Sequence, residues 1–188
     1  MPERHFQHAA ALVEATDIGE GTRIWAFAHV MRGAVIGRRC NIGDHAFIEA
    51  GAVVGDEVTI KNGVSVWAHI TIRNRVFLGP NVSLTNDARP RSGQGWTPVP
   101  TVIDEGATIG ANATIVCGCH IGRYAMVGAG AVVTRPVPAH ALVVGSPARV
   151  TGFVCQCAHT LRKRGSALVC PACGLKYRKT RGGVDLGR

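Results

Sequence analysis

The sequence has few aromatic side chains, few charged ones and no long apolar run. Aromatic residues make up 5% and charged residues 18% of its 188 residues, whereas 46% are hydrophobic. A chain this apolar is not disordered, and no run approaches the roughly 18 apolar residues of a membrane span, so we expect no membrane insertion. The polar opening, residues 1–5, lacks the apolar stretch of a secretory signal. We therefore expect a cytoplasmic protein, and the odd number of cysteines, seven, favours reduced thiols.

The formal charge of +9 is concentrated at one end of the chain. Residues 1–154 carry 13 Lys and Arg against 11 Asp and Glu, whereas residues 155–188 carry 8 against the single Asp185. A strongly basic balance often indicates a nucleic-acid partner. Because the main part of the chain is nearly neutral, that function could apply only to the C-terminal segment, residues 155–188.

Aliphatic residues recur at every sixth position. Thirteen consecutive places from Leu12 to Leu84 hold Leu, Ile or Val, and six more follow, one residue out of phase, from Ile103 to Val133. A period of six fits neither an α-helix nor a long alternating strand. It is typical of coils in which a short strand and a turn alternate on the faces of a prism.

The repeat therefore predicts an all-β fold, with a parallel β-helix over residues 8–154. Each aliphatic side chain should point inward and stack on its equivalent eighteen residues later. About six coils result, in a prism about 30 Å long at the spacing of paired strands. Glycine often follows the aliphatic residue, as at Gly37 and Gly55, and we expect it to permit turns with positive φ. The periodicity does not give the hand of the coil.

Several stretches resemble a known family more closely than the repeat alone requires. They are GTRIW at 21–25, HVM at 29–31, FLGP at 77–80, TND at 85–87, PRS at 90–92, residues 106–118, residues 127–134 and GSPARV at 145–150. Over residues 8–155 the chain resembles bacterial N-acetyltransferases of 3-amino groups on nucleotide-linked sugars. It resembles in particular enzymes acting on UDP-2-acetamido-3-amino-2,3-dideoxy-glucuronate for lipopolysaccharide O-antigen synthesis.

This resemblance implies a left-handed β-helix of the hexapeptide acyltransferase type. It also implies a homotrimer that uses acetyl-CoA as co-substrate and a nucleotide sugar as acceptor. The active site is then expected in the cleft between neighbouring prisms.

The hexapeptide pattern is interrupted over residues 85–102, where we expect the acceptor site. A long loop on a rigid scaffold usually carries function. This loop holds no histidine to act as a base, and the family resemblance makes Asn86 the residue that orients the acceptor amine. Asp87 is a candidate base, although carboxylates are weak bases for an ammonium group. We favour catalysis by positioning and oxyanion stabilisation, with the departing thiolate collecting the proton.

Acetyl-CoA is expected along the later coils. Backbone with little side chain could admit a pantetheine arm at Gly110, Ala111, Gly128 and Ala129. The alternative is that these glycines serve only as coil turns. Arg135 and Arg149, which flank the segment that contains Pro147, could clamp the phosphates and the adenine end of CoA. The alternative is that each arginine is a solvated surface charge.

The sugar nucleotide needs cations for its diphosphate. Candidates near the early coils and the loop are Arg32, Arg89 and Arg91. Outward positions of a prism face the neighbouring subunit in a trimer, and candidates to line that cleft are Trp25, His29 and Glu49. Any of these could instead be a packing residue of the interface, and His45, His69 and His120 could equally lie there.

The C-terminal segment contains a cysteine pattern typical of a zinc ribbon. Cys170 and Cys173, separated by Pro and Ala and followed by Gly, place two thiolates on one tight turn, where both can reach a tetrahedral zinc ion. Cys155 and Cys157 are one residue closer than usual, and His159 could replace one of them. We expect a small zinc-ribbon-like extension with a structural metal. Reduced cysteines in a loose tail are the alternative.

Two other functions remain open on the sequence alone. The first is acyl transfer to a different acceptor, such as a dTDP-linked 6-deoxy amino sugar or an antibiotic sugar. The second is a non-catalytic binding module that uses the basic C-terminal segment. Tyr177 is the one aromatic residue among its charges, which is poor for stacking on bases, so a nucleic-acid partner is not expected.

Overall fold

The computed structural model describes residues 5–187, which form 26 short strands and no helix. Within this range no helix is long and apolar enough to cross a membrane. The strands from β1 to β21 wind into a parallel solenoid with three sides, and the last four form a separate antiparallel sheet. The all-β parallel solenoid predicted from the repeat is therefore confirmed, and its first strand begins at Phe6. The left hand of the coil stays a prediction.

The chain visits the three sheets of the solenoid in turn. Sheet 1 contains β1 (Phe6–Gln7), β4 (Arg23–Ile24), β7 (Asn41–Ile42), β10 (Thr59–Ile60), β13 (Phe77–Leu78), β16 (Thr108–Ile109), β19 (Met126–Val127), β21 (Ala141–Val144) and the antiparallel β22 (Arg149–Phe153). Sheet 2 contains β2 (Leu12–Val13), β5 (His29–Val30), β8 (Phe47–Ile48), β11 (Ser65–Val66), β14 (Ser83–Leu84), β17 (Thr114–Ile115) and β20 (Val132–Val133). Sheet 3 contains β3 (Asp17–Ile18), β6 (Val35–Ile36), β9 (Val53–Val54), β12 (Ile70–Ile72), β15 (Thr101–Ile103) and β18 (His120–Ile121).

The predicted eighteen-residue stacking is confirmed by the strand register. Ile60 lies opposite Ile42 in one neighbouring coil and Leu78 in the other. These inward side chains are completely buried and form one continuous core along the prism. Eight parallel strands of sheet 1 stack from β1 to β21, so the prism is about 34 Å long at the usual strand spacing, one coil more than predicted.

The first coil departs from this register. Leu12 lies opposite His29 and Val13 opposite Val30, which are seventeen residues apart. The prediction that Leu12 points inward is wrong, because its side chain is 56% exposed. Val13 takes the inward place and packs against the core.

The prediction for glycine in the turns is also wrong. Positive φ recurs every six residues, but three positions after the inward aliphatic residue, at places held by Gly33 and Gly51 as well as by Arg39. The glycine directly after the aliphatic residue has another role. A Cβ on Gly37 would lie 2.5 Å from the backbone of Gly55 in the next coil. This glycine permits close stacking of the coils and is not needed for positive φ.

The predicted loop leaves the solenoid after β14 and returns at β15, which begins at Thr101. Coil stacking continues across it, because Leu84 pairs with Ile115, thirty-one residues later. Residues 88–97 are exposed. The insertion therefore projects from an uninterrupted scaffold.

The C-terminal segment forms a four-stranded antiparallel sheet against the last coil. Its strands are β23 (Arg162–Arg164), β24 (Ala167–Val169), β25 (Lys176–Thr180) and β26 (Gly183–Leu186). Backbone hydrogen bonds join Ala139 of the solenoid to Gly182 and Val184. His140 is buried at this junction, with its ring 5.2 Å from that of Tyr124 and 5.0 Å from that of Tyr177.

Candidate active site

Most of the predicted site residues lie on sheet 2 or at its two edges. In the strands of sheet 2 after β2, the first residue points outward and the second is buried. One column of side chains therefore covers this side of the prism, which we call the sheet 2 face. From the first coil to the last, the column contains Leu12, His29, Phe47, Ser65, Ser83, Thr114 and Val132. The small hydroxyl residues in its middle leave room for a ligand to lie against the sheet.

Arg32, Asn86 and Arg135 occupy the same turn position along the edge where the chain leaves sheet 2. Each stands two residues after a strand, namely β5, β14 and β20. Three strand spacings separate Arg32 from Asn86 and two separate Asn86 from Arg135, which correspond to about 14 Å and about 10 Å. Both arginines are exposed. The structure therefore brings two predicted anion-binding residues into line with the predicted acceptor residue.

The glycine and alanine pairs predicted to hold CoA lie along the opposite edge. Gly110 and Gly128 follow β16 and β19 directly, and their backbone N–H groups donate to carbonyl oxygens of the next coil. A Cβ on Gly110 would lie 2.5 Å from the backbone nitrogen of Ala129. Gly110 is thus required for coil stacking, whereas a Cβ on Gly128 would first meet the side chain of Val144, at 2.8 Å. A cofactor at this edge would contact the partly exposed Ala111 and the exposed Ala129.

Trp25 stands on the same edge as the glycine pairs but much nearer the first coil. Four strand spacings separate β4, which precedes it, from β16, which is about 19 Å. Its indole Nε1 donates a 2.8 Å hydrogen bond to Oδ1 of Asn41. The structure therefore does not bring Trp25 together with Asn86.

The segment 145–148 extends sheet 2 beyond its last strand. Two backbone hydrogen bonds of 3.0 and 2.8 Å join it to Val132. Pro147 and Arg149 are exposed here, and Arg135 occupies the turn that follows Val132. The three residues predicted to hold the distal part of CoA thus lie at one end of the sheet 2 face.

Hydrogen bonds to the preceding coil fix the start of the loop. The indole Nε1 of Trp67 donates to the carbonyl oxygen of Leu84 at 2.7 Å, and Nδ2 of Asn86 donates to that of Ala68 at 3.5 Å. The N–H of Ala68 donates to the carboxylate of Glu49 at 2.7 Å. Glu49, predicted to contact substrate, therefore supports the turn beneath Asn86 with one carboxylate oxygen.

The backbone around Asn86 is held from the other side as well. The N–H of Val99, where the loop returns, donates to the Asn86 carbonyl oxygen at 2.8 Å. The hydroxyl of Thr85 accepts a 2.9 Å hydrogen bond from the N–H of Cys117 in the following coil. Asn86 is half-buried, so its side chain is both anchored and accessible.

Asp87 follows Asn86, but its carboxylate is used within the loop. Its Oδ1 accepts a 2.8 Å hydrogen bond from the backbone N–H of Arg89. Arg89 and Arg91 are exposed on the outer part of the loop. The structure therefore gives Asp87 a role in shaping the turn that presents these two arginines.

A row of ring side chains leads along sheet 2 from the first coils toward the loop. Nε2 of His29 lies 2.9 Å from a carboxylate oxygen of Glu14. The His29 ring lies 5.4 Å from that of Phe47, which in turn lies 5.5 Å from that of Trp67. This row gives the predicted substrate residue His29 a fixed orientation.

Beside the loop stand two further residues, Trp67, which the sequence analysis does not single out, and His69, which it expects only at the interface between subunits. They stand eighteen residues before Thr85 and Asp87, so the repeat itself places them one coil beneath the loop. His69 is exposed and has a φ of 63°, and its carbonyl oxygen accepts a 3.2 Å hydrogen bond from the N–H of Thr101. Counting one coil back from the loop would have found both.

The cysteines divide into two groups. Cys40 and Cys119 are buried in the solenoid core, and burial raises the pKa of both thiols. The second group gathers in the C-terminal segment, where one sulfur from each residue lies within 4.8 Å of all the others. Its members are the predicted metal ligands Cys155, Cys157, Cys170 and Cys173.

Comparisons with known proteins agree with this architecture. Residues 15–50 and 100–135 match the family described as bacterial transferase hexapeptide (six repeats), and residues 33–68 match the hexapeptide repeat of succinyl-transferase. The solved acetyltransferase domain of PglB from Neisseria gonorrhoeae, in complex with acetyl coenzyme A, has a TM-score of 0.55 at 22% identity. That likeness covers 78% of this chain, which spans 57% of the PglB chain. It shows the fold.

A further solved structure, a maltose O-acetyltransferase from Clostridium difficile, has a TM-score of 0.51 at 26% identity and covers 60% of this chain and 68% of its own. Among curated proteins, dTDP-3-amino-3,6-dideoxy-alpha-D-galactopyranose 3-N-acetyltransferase of Aneurinibacillus thermoaerophilus is 48% identical over 190 residues. The similarity extends over 97% of this chain and 95% of that relative. With this relative matched over almost its whole length, the chain belongs to the hexapeptide-repeat family of acetyl-CoA-dependent N-acetyltransferases.

Proposed function

We propose that this enzyme transfers the acetyl group of acetyl-CoA to the 3-amino group of a dTDP-linked 3-amino-3,6-dideoxyhexose. The observation that carries the proposal is the near full-length similarity, at 48% identity, to an enzyme with that acceptor. That relative does not act on the UDP-linked 3-amino glucuronate expected from the sequence, so this acceptor becomes the second candidate. The dTDP-linked 6-deoxy amino sugar, which is the alternative on the sequence alone, becomes the first candidate.

The line of residues at the edge of sheet 2 suggests how the two substrates meet. Arg32 and Arg135 lie on opposite sides of Asn86, about 14 Å and about 10 Å away by strand spacing. We place the sugar nucleotide between Asn86 and Arg32, with its diphosphate near the guanidinium group. Acetyl-CoA then extends from Asn86 toward Arg135 and Arg149, at the end where segment 145–148 joins the sheet. This arrangement gives each anionic substrate its own cation.

Asn86 would act as the residue that orients the acceptor amine. Its Nδ2 is occupied by the Ala68 carbonyl oxygen, which leaves Oδ1 as the acceptor for an amine N–H. An amine held in this way presents its lone pair in a fixed direction, and such positioning can supply a large part of the rate enhancement.

The transfer itself needs no metal ion and no covalent enzyme intermediate. The neutral amine attacks the thioester carbonyl carbon, the carbon–sulfur bond of the tetrahedral adduct breaks, and the departing thiolate takes the proton from the former amine. The products are the acetamido sugar nucleotide and CoA as its thiol. Asp87 is assigned to loop structure here, because its carboxylate holds the Arg89 N–H.

We also propose that the active unit is a homotrimer, with the sheet 2 face closed by a neighbouring prism. Large apolar side chains remain exposed near the first coils, at Phe6, Leu12, Trp25 and Phe27. The rings of Phe6 and Trp25 lie 5.5 Å apart, and exposed apolar side chains that group in this way commonly mark an interface between protein chains. The family resemblance supports the same assembly, a left-handed coil and a cytoplasmic location.

The proposal is tested by comparing acceptors at a fixed concentration of acetyl-CoA while the release of CoA thiol is followed. We expect kcat/KM for the dTDP-linked 3-amino-3,6-dideoxyhexose to exceed that for a UDP-linked 3-amino glucuronate by about 100-fold. The two sugars differ at C6, where the first carries a methyl group and the second a charged carboxylate, and a site that fits the methyl group would leave the carboxylate without partners. The opposite order would establish the second candidate. Absence of thiol release with every amino sugar would contradict the proposed function and favour the binding-module alternative.

A further inference from the structure

The sulfur atoms of the four cysteines of the C-terminal segment all lie within 4.8 Å of one another. Cys155 Sγ lies 3.4 Å from Cys173 Sγ, and Cys157 Sγ lies 3.5 Å from Cys170 Sγ and 3.6 Å from Cys173 Sγ. A tetrahedral zinc ion with four thiolates separates its sulfurs by about 3.8 Å, given zinc–sulfur bonds of about 2.3 Å. A disulfide would bring two sulfurs to about 2.05 Å. The observed spacing fits a shared metal ion and not a pair of disulfides.

Two tight turns at the same end of the sheet present these sulfurs, because Arg162, which begins β23, pairs with Val169, which ends β24. The first lies between β22 and β23, where the N–H of Ala158 donates to the carbonyl of Cys155 and Ala158 has a φ of 69°. The second lies between β24 and β25, where the N–H of Gly174 donates to the carbonyl of Cys170 and Gly174 has a φ of 75°. Each turn thus places two thiols on the same side and closes on a residue with positive φ.

A buried tyrosine, Tyr177, contacts one sulfur of the four-cysteine cluster. The hydroxyl of Tyr177 lies 3.1 Å from Cys155 Sγ and accepts a 3.2 Å hydrogen bond from the N–H of Gln156. Because that backbone N–H occupies an acceptor position, the hydroxyl proton is directed to the sulfur. Partners of this kind orient metal ligands and raise metal affinity. Tyr177 is completely buried and also contacts the ring of His140 in the solenoid.

The segment has too little apolar core to hold this geometry alone. Its buried cluster contains five residues, and two of them are thiols: Cys155, Leu161, Cys170, Tyr177 and Val184. Units of this size usually need a disulfide, a metal ion or a partner to fold. The segment also carries eight Lys and Arg against the single Asp185, and this positive balance favours four thiolates around a divalent ion, a group with net charge of about −2.

We propose that Cys155, Cys157, Cys170 and Cys173 bind one structural zinc ion, and that this ion holds the C-terminal segment in the fold that docks on the end of the solenoid. The docking runs through the backbone bonds of Ala139 and through the contact of Tyr177 with His140. With all four positions taken by protein ligands, the ion is structural and has no open site for catalysis. His159 is not part of the four-sulfur cluster; its Nδ1 lies 3.1 Å from the carbonyl oxygen of Cys157 and 3.6 Å from the Sγ of the same residue, and the variants below test its exclusion.

The first test measures the metal content of the intact chain, purified without chelators, by inductively coupled plasma mass spectrometry. We expect one zinc ion per chain and its release when the thiols are titrated with a mercurial reagent. Replacement by Co²⁺ should give the intense visible absorption and the sulfur-to-metal charge-transfer band of a tetrahedral tetrathiolate site. Iron in place of zinc, or thiols that react without metal release, would overturn the proposal.

Matched variants then assign the ligands. We expect Cys173→Ser and Cys170→Ser to lose the zinc, whereas Cys117→Ser, a solenoid thiol, and His159→Ala should keep it. Retention of zinc by Cys173→Ser together with its loss in His159→Ala would show a different ligand set and overturn the assignment.

The buried tyrosine gives a test that leaves all four thiols in place. Tyr177→Phe should lower zinc affinity in competition with a chelator by about 10-fold or more, because it removes the hydrogen bond to Cys155. An unchanged affinity would overturn the role given to Tyr177.

Discussion

The indole Nε1 of Trp67 donates a 2.7 Å hydrogen bond to the carbonyl oxygen of Leu84. Leu84 ends β14 and is followed by Thr85 and Asn86, so this bond fixes the place where the loop leaves the solenoid. Because Trp67, the donor, belongs to the preceding coil, the position of the loop is set by the solenoid. A site built in this way keeps its geometry without needing the loop itself to be rigid.

Trp67→Phe should weaken the start of the loop while keeping most of the packing against Phe47. The Leu84 carbonyl would lose its side-chain donor, and we expect a loss of about 1 kcal/mol in the free energy of unfolding. A fall in kcat larger than the loss of stability explains should accompany it, because Asn86 follows directly. Chemical denaturation and steady-state kinetics measure the two effects. Trp96→Phe, at an exposed position of the loop, is the stability control, and equal destabilisation by both variants would contradict this role.

Asn86→Ala should lower kcat by about 100-fold, the usual cost of removing one well-placed polar group from an acyl-transfer site. Asn86→Asp tests the geometry more finely, because a carboxylate cannot donate to the Ala68 carbonyl oxygen and would turn away from it. Both variants should retain the oligomeric state of the wild type in light scattering. Gln94→Ala removes an exposed amide from the same loop and should leave kcat unchanged. Wild-type turnover in Asn86→Ala would refute the positioning role.

Gly37→Ala should destabilise the solenoid by about 2 kcal/mol or more, since overpacking of a tight contact has costs of this order. The added Cβ would lie 2.5 Å from the backbone of Gly55, which cannot move without shifting a whole coil. Gly95→Ala is the matched control, because no atom lies within 4 Å of its Cβ position. Thermal unfolding compares the two. Similar midpoints would show that coils can separate locally, contrary to this account.

The stability of the molecule should fall on acidification because of His140. Burial lowers the pKa of its imidazole, while the Val154 carbonyl and Asp185 oppose this shift and Arg123 adds to it. An unfolded histidine takes up its proton near pH 6.5, whereas the folded one does so only at lower pH. Between these two pKa values the unfolded state therefore binds more protons than the folded state. The contribution of His140 to the free energy of unfolding is fully present above about pH 6.5 and declines below it.

The check on His140 compares unfolding midpoints of wild type and His140→Phe from about pH 7.5 to about pH 5.5, the range in which histidine titrates. The wild type should lose more stability on acidification than the variant, which keeps a ring between Tyr124 and Tyr177. His45→Asn replaces an exposed histidine near the other end of the prism and should behave as wild type. Parallel curves for wild type and His140→Phe would refute the prediction.

The solenoid was predictable because one signal, the inward aliphatic residue at every sixth position, is enough to set its register. The eighteen-residue pairing of Ile42 with Ile60 follows from counting alone. Leu12 is an exception because the first coil has seventeen residues and the coil that follows it has eighteen. The loss of one turn residue cannot be seen in the sequence, because Leu12 and Val13 are both apolar and either could be the inward residue. The role of Gly37 was mistaken because close approach and positive φ both favour glycine, and only the distance to the next coil distinguishes them.

The sequence points to candidate site residues where they interrupt the repeat and not where they obey it. Asn86 stands in the interrupting loop and is a candidate for that reason. Trp67 occupies an ordinary turn position, and its function depends on a hydrogen bond to Leu84 that only the stacking of coils creates. Glu49 was placed in the cleft as a substrate contact, yet one of its oxygens is held by the Ala68 N–H.

The most direct test of the proposed function follows a labelled acetyl group. Acetyl-CoA carrying ¹³C at the carbonyl carbon is mixed with the enzyme and a dTDP-linked 3-amino-3,6-dideoxyhexose, and the product is examined by heteronuclear NMR. The account predicts an amide carbonyl coupled to the proton on the nitrogen at C3, with one CoA thiol released per acetyl group transferred. A labelled ester carbonyl, formed by transfer to a hydroxyl group of the sugar, would contradict the proposed function. An unmodified amine after prolonged incubation would also contradict it.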